Sequence, residues 1–173
     1  MTDLDQDRRE ILQVHRDWYD SNYGLDTPRM RSCFPSGNAF LMFNLSTHTY
    51  FGVDELTEVW EAYTRERVME VDAYPEIEIL RLTIVGDIAW IAAEGNFRFR
   101  WLSTGERGDM LTKATEVYQR DDGEGNPVWR MWHFHASPGP APDEPRPGTG
   151  GTLAERGAGR GPGITPLSVV TPN

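Results

Sequence analysis

The ten residues "WRMWHFHASP" (129–138) decide the fold of this chain. Aromatic and apolar residues dominate the run, and a turn-forming segment (122–126) precedes it, as is typical of a β-strand. Because strand residues alternate between the two faces of a sheet, the pattern predicts that Met131, His133 and His135 share one face. Two titratable rings on an apolar strand raise the hypothesis of a catalytic site. The alternative is that both histidines are structural and hydrogen-bonded to Glu116 or to the backbone.

Upstream of this strand, hydrophobic spacing predicts helices first and strands afterwards. Helices are expected over residues 5–23, from Thr27 to about Phe34, and from a cap at Asp54. Short strands are expected within residues 39–45 and 48–52, and the segment 64–76 is expected to be a helix end and loop. The remaining strands are expected over residues 76–85, 88–102, 109–120 and 128–137. Three helices packed on one face of a curved antiparallel sheet make an α+β domain.

Composition limits the partners of this 173-residue chain. Its net charge of −10 disfavours nucleic acid and anionic membranes, which attract basic patches. The polar start, "MTDLDQDRRE", has no signal-peptide core, so a cytoplasmic protein is expected. Cys33 is the single cysteine, which excludes an internal disulfide.

The composition changes at Pro138, where proline and glycine become frequent and the apolar pattern ends. Such a segment cannot bury enough surface to offset its chain entropy. The sequence therefore predicts a folded domain over residues 1–137 and a disordered tail over 138–173.

Three motifs within residues 6–138 together resemble the nuclear transport factor 2-like superfamily, and within it the SnoaL-like branch. They are "GDIAWIAAEG" (86–95), "ATEVYQRDDG" (114–123) and "WRMWHFHASP", which are similar to the association domain of calcium/calmodulin-dependent protein kinase II. The resemblance implies a cone-shaped fold with an apolar pocket, and sheets that pair back to back as homodimers. The family contains isomerases, dehydratases and non-catalytic assembly domains, so the fold alone leaves the function open.

Similarity to ketosteroid isomerases implies where the pocket lies. It places Glu116 at the position of their pocket-facing acid, Met131, His133 and His135 along the pocket wall, and Trp18 and Tyr19 near their first-helix tyrosine. Their catalytic aspartate falls within residues 42–44, which contain no carboxylate, and this argues against steroid isomerisation. The pocket arginines of the association domain fall on Asn96, Glu116 and Ala136, which favours a neutral ligand over a carboxylate.

The leading hypothesis is a lyase, dehydratase or isomerase that acts by acid–base catalysis on a small, apolar, aromatic or polyketide-like substrate. His133 and Glu116 are the predicted proton-transfer groups, with His135 and Tyr19 as further catalytic candidates. Such chemistry needs no cofactor and no metal. The predicted substrate-binding residues are Trp18, Asn44, His48, Trp60, Asn96 and Met131.

Two alternatives remain at this stage. The chain could be a ligand-binding or oligomerisation module without chemistry. Alternatively, His133, His135 and Glu116 could bind a metal ion as two imidazoles and a carboxylate.

Overall fold

The computed structural model describes residues 3–45, 48–71 and 73–139. From residue 140 onward, the predicted tail lies outside the described residues. The elements within them follow the predicted order of helices, a short hairpin, a helix and long strands. The bounds are α1 Leu4–Asn22, α2 Thr27–Arg31, β1 Leu41–Phe43, β2 Thr49–Phe51, α3 Val53–Glu66, β3 Met69–Glu70, β4 Glu76–Val85, β5 Ile88–Trp101, β6 Arg107–Arg120 and β7 Trp129–Pro138.

The helices begin where local sequence satisfies their free N–H groups. The Asp3 carboxylate accepts a hydrogen bond from the Asp5 N–H at the start of α1. The side chain of Asp26 accepts one from the Arg29 N–H at the start of α2, where Pro28 follows in the first turn. The expected cap at Asp54 is wrong, because Gly52 precedes α3 and Asp54 lies in its first turn. A carboxylate there still interacts favourably with the helix dipole. In the described ranges, no helix is both long and apolar enough to cross a membrane.

The seven strands form one sheet in the order β2-β1-β7-β6-β5-β3, and β4 pairs with β5 on the same side as β3. All pairs are antiparallel except β1 with β7, which is parallel. The short strand β3 lies within the segment expected to be a helix end and loop, so that expectation is wrong for Met69–Glu70. The three helices and the sheet confirm the predicted α+β architecture.

A β-bulge in β7 changes which side chains face the helices. Val117 pairs with His133 and Tyr118 pairs with Met131, so Trp132 is an extra residue without a partner on β6. Before the bulge, Trp129 and Met131 are buried on the helix side of the sheet. After it, the buried positions are Phe134 and Ala136. The predicted face shared by Met131, His133 and His135 is therefore wrong, because one extra residue reverses the alternation.

Gly95 allows β4 and β5 to lie close together near one edge of the sheet. A Cβ added to Gly95 would lie 2.0 Å from the carbonyl oxygen of Glu76, which is a backbone atom and cannot move without breaking the strand pairing. We expect Gly95→Ala to reduce the free energy of unfolding by about 1–3 kcal/mol, measured by urea denaturation. Asn96→Ala, the next position on the strand, is the matched control and should have a smaller effect. Equal stability of Gly95→Ala and the wild type would contradict this packing.

Candidate active site

A cavity of about 280 Å³ lies between the helices and the concave face of the sheet. Within the described part of the chain, every residue that lines it is uncharged, and most are aromatic or aliphatic. The lining residues with hydroxyl or amide groups are Tyr19, Asn22, Asn44, Tyr50, Tyr63 and Thr112, and those with an indole N–H are Trp18, Trp60 and Trp101. A cavity of this size and composition fits a small, uncharged, largely apolar molecule.

Four of the predicted site residues line this cavity. Trp18 and Tyr19 reach it from α1, Trp60 from α3, and Asn44 from the loop after β1. The Trp18 ring stacks on the Trp60 ring with centroids 5.8 Å apart, so the two helices form a continuous aromatic wall.

His133 and His135 lie on the opposite, outer face of the sheet, which corrects their predicted position in the pocket. Both rings pack edge-on against Phe43, with centroid distances of 5.3 Å and 5.7 Å. The Nδ1 atom of His133 also lies 3.0 Å from the carbonyl oxygen of Leu41. Because Glu116 lies on the inner face, the metal triad of these three residues is wrong as well.

Met131, Asn96 and His48 do not line the cavity either. Met131 is fully buried on the helix side of the sheet, and its backbone N–H donates to the carbonyl of Cys33. Asn96 pairs with Leu111 on the outer face. His48 is exposed, and its ring stacks against Tyr50, which does line the cavity.

Glu116 is fully buried directly behind the cavity wall and is the centre of a hydrogen-bond cluster. The hydroxyl of Tyr19 donates to its Oε1 atom at 2.8 Å, and the hydroxyl of Tyr118 donates to Oε2. The Nδ1 atom of His15 lies 2.9 Å from the same Oε2. We call these four residues the Glu116 cluster. Of the four, Tyr19 alone also lines the cavity.

The cluster keeps both of its phenols protonated. Burial raises the pKa of Tyr19 well above its ordinary value, and the neighbouring carboxylate of Glu116 raises it further. The same two causes raise the pKa of Tyr118, burial first. Tyr19 is therefore a neutral hydroxyl at physiological pH, with a carboxylate bonded behind it that can accept its proton. This arrangement can transfer protons between the cavity and a buried carboxylate.

The sequence contains signals for His15 and Tyr118, the two cluster members that are not among the predicted site residues. His15 precedes Tyr19 by four residues, so the two side chains share one face of α1, and their rings lie 4.8 Å apart. Tyr118 follows Glu116 by two residues and therefore shares its face of β6. The bulge that turns His133 outward has no comparable signal.

Comparison with known proteins identifies the same fold elsewhere. Residues 11–142 match the SnoaL-like domain family. No curated protein matches the chain by sequence.

Solved structures with a similar fold include a hexachlorocyclohexane dehydrochlorinase LinA-type3 from Novosphingobium barchaimii, with 17% identity and a TM-score of 0.64 over 80% of this chain and 92% of that one. A putative dehydratase of the NTF2-like family from Streptomyces avermitilis has 18% identity and a TM-score of 0.61 over 80% of this chain and 100% of that one. A ketosteroid isomerase-like protein from Erwinia carotovora atroseptica has 14% identity and a TM-score of 0.63 over 77% of this chain and 96% of that one. At these identities the likeness establishes the fold.

Proposed function

Because this chain belongs to the SnoaL-like family, we propose that it is a cofactor-independent lyase, dehydratase or isomerase that transfers protons on a small, uncharged, largely apolar substrate. One observation carries the proposal: Tyr19 lines an apolar cavity, and its hydroxyl is hydrogen-bonded to a buried carboxylate. Proton transfer of this kind is compatible with the dehydratase and isomerase descriptions of structures that share the fold.

The proposed step uses Tyr19 as a relay. A substrate C–H bond breaks, its proton goes to the phenolic oxygen of Tyr19, and the electron pair stays on the substrate as an enolate or a new double bond. At the same time, the hydroxyl proton of Tyr19 passes to Oε1 of Glu116, 2.8 Å away. The reverse transfer then returns a proton to another substrate atom. Tyr19 stays neutral throughout, in agreement with its raised pKa.

This relay limits the stereochemistry of the reaction. Among the cavity-lining residues that the structure describes, Tyr19 is the one bonded to a carboxylate. One group would therefore remove the proton and deliver it again, on the same face of the substrate. The geometry favours suprafacial isomerisation or syn elimination of water over reactions that need an acid and a base on opposite faces.

The test is product formation from uncharged cyclic ketones, hydroxyketones and polyketide-like phenols. Each compound is incubated with the protein, with and without a chelator, and analysed by chromatography and mass spectrometry. We expect loss of water or a change of isomer with at least one compound, unchanged by the chelator. Loss of the activity on chelation would contradict a metal-independent mechanism.

The second candidate function is ligand binding without chemistry. The Glu116 cluster favours it in one respect, because a carboxylate that accepts three hydrogen bonds in the core can be purely structural. A ligand that raises the melting temperature but emerges unchanged, with no isomer formed, would establish this function instead of catalysis.

We further propose that the protein is a cytoplasmic homodimer in which two sheets pair through their outer faces. Apolar side chains on this face are exposed in the single chain, including Phe43 at 42%, Ile88 at 53% and Val85 at 54%. Pairing with a second sheet would remove these apolar side chains from water, which favours association.

Substituting Val117, which also faces outward from β6, tests the dimer. We expect Val117→Arg to convert a dimer into a folded monomer in sedimentation experiments, because an arginine would be buried in the interface without a partner charge. Tyr74→Arg, an exposed position before β4, should leave the dimer intact. A wild-type protein that sediments as a monomer would refute the proposed pairing.

A further inference from the structure

Trp18 lines the cavity, and its indole N–H is a buried hydrogen-bond donor. The Trp18 ring lines the cavity and is 4% exposed. Its Nε1 atom is buried and has no acceptor among the described residues. A buried donor without an acceptor is costly, and native structures seldom retain one without a reason.

The neighbouring rings hold Trp18 in this position. Trp60 stacks on it with an interplanar angle of 21°, and Phe34 and Phe134 each pack edge-on at centroid distances of 5.2 Å. Three aromatic contacts restrict rotation of the indole ring, so the N–H cannot turn easily towards a protein acceptor. The donor therefore stays unpaired in the protein alone, within a side chain that lines the cavity.

We propose that Trp18 is a specificity-determining residue whose N–H donates a hydrogen bond to a carbonyl oxygen of the substrate. The substrate class is then a neutral cyclic ketone with an aromatic or similarly flat body. Because Nε1 has almost no exposed area, the oxygen reaches it after a small shift of the wall. This inference deepens the proposed function, since it concerns the same cavity.

The role of Trp18 fits the chemistry of the neighbouring residue. The hydroxyl proton of Tyr19 is directed to Glu116, so Tyr19 does not donate that proton to a substrate oxygen in the same arrangement. A separate donor on the carbonyl would stabilise the negative charge that develops on the oxygen when the adjacent C–H bond breaks. Trp18 precedes Tyr19 in α1, and both side chains line the cavity.

Binding calorimetry with two matched probes tests this inference. The ketone 2-tetralone has the proposed carbonyl oxygen, and tetralin is the same bicyclic body without it. We expect the wild type to bind 2-tetralone about five- to tenfold more tightly than tetralin, the difference expected for one hydrogen bond. In Trp18→Phe, which keeps an aromatic ring but has no N–H, the ratio of the two dissociation constants should approach one.

Phe97→Leu is the control, because Phe97 lines the same cavity without a hydrogen-bond donor, so its loss should weaken the binding of both probes while preserving the ratio of their affinities. Melting temperatures of all three proteins show whether the variants are folded. An unchanged ratio in Trp18→Phe, no preference in the wild type, or no binding of 2-tetralone would each overturn the inference. Because binding is measured instead of turnover, an absence of catalysis would leave this test valid.

Discussion

Replacing Tyr19 by phenylalanine should reduce turnover by about a hundredfold or more, the size of a typical contribution from one general acid–base group. Tyr19 is the member of the Glu116 cluster that lines the cavity, and the substitution removes its hydroxyl while retaining the aromatic ring. The substrate KM should change little, because the apolar wall that binds the substrate body is preserved. The measurement is steady-state kinetics with whichever neutral ketone or phenol the protein converts.

Tyr118→Phe is the matched control for this prediction. It removes a second hydroxyl bonded to Glu116, but Tyr118 is fully buried and does not contact the cavity. We expect it to lower stability while reducing kcat much less than Tyr19→Phe does. Equal losses of kcat in the two variants would mean that both act by disturbing Glu116, and would contradict the relay.

Replacing Asp7 by asparagine should destabilise the fold by about 3–5 kcal/mol, as expected when one partner of a buried ion pair is removed. Asp7 is 2% exposed and forms an ion pair with Arg120. It also accepts a hydrogen bond from Nε1 of Trp129 at 3.2 Å, and the Arg120 guanidinium lies over the Trp129 ring. These contacts attach the first turns of α1 to the ends of β6 and β7. Urea denaturation measures the effect.

Asp87→Asn provides the control, because Asp87 pairs with the same Arg120 from an exposed position and its loss should cost less than about 1 kcal/mol. Equal destabilisation by Asp7→Asn and Asp87→Asn would contradict this prediction, because the buried Asp7–Arg120 pair would then stabilise the docking of α1 no more than the exposed Asp87–Arg120 pair does.

Protonation of Asp7 makes the stability of the fold depend on pH. Burial alone would raise the pKa of Asp7, but the hydrogen bonds from Arg120 and Trp129, with the charge of Arg120, lower it below the ordinary value of 3.8. The carboxylate therefore contributes its full stability above the unfolded-state pKa, and this stability disappears as the pH falls through the lower folded-state pKa. The wild type should lose its advantage over Asp7→Asn on acidification. A wild-type advantage that increases on acidification would contradict this sign.

The fold was largely predictable from the sequence, because long strands and amphipathic helices have strong periodic patterns. The placement of Glu116 on the inner face also follows directly from alternation along β6. Simple alternation along the strand predicts the wrong face for His133 and His135, because β7 has a bulge at Trp132. This bulge depends on how β7 pairs with β6, and no local residue pattern predicts it. The predicted partners of Glu116, His133 and His135, therefore lie on the opposite face of the sheet. Of its actual partners, Tyr118 lies on the same strand, whereas His15 and Tyr19 lie about a hundred residues away in the chain and meet Glu116 through the tertiary fold.

The most direct measurement of the central claim is the exchange of the acidic C–H protons of 2-tetralone with deuterium, followed by NMR in D₂O. The relay predicts that the wild-type protein accelerates exchange at the carbon next to the carbonyl well above the buffer rate, and that Tyr19→Phe loses this acceleration while Tyr118→Phe retains most of it. Exchange at the buffer rate in the presence of 2-tetralone-saturated wild-type protein, or acceleration that survives in Tyr19→Phe, would contradict proton transfer through Tyr19 to Glu116.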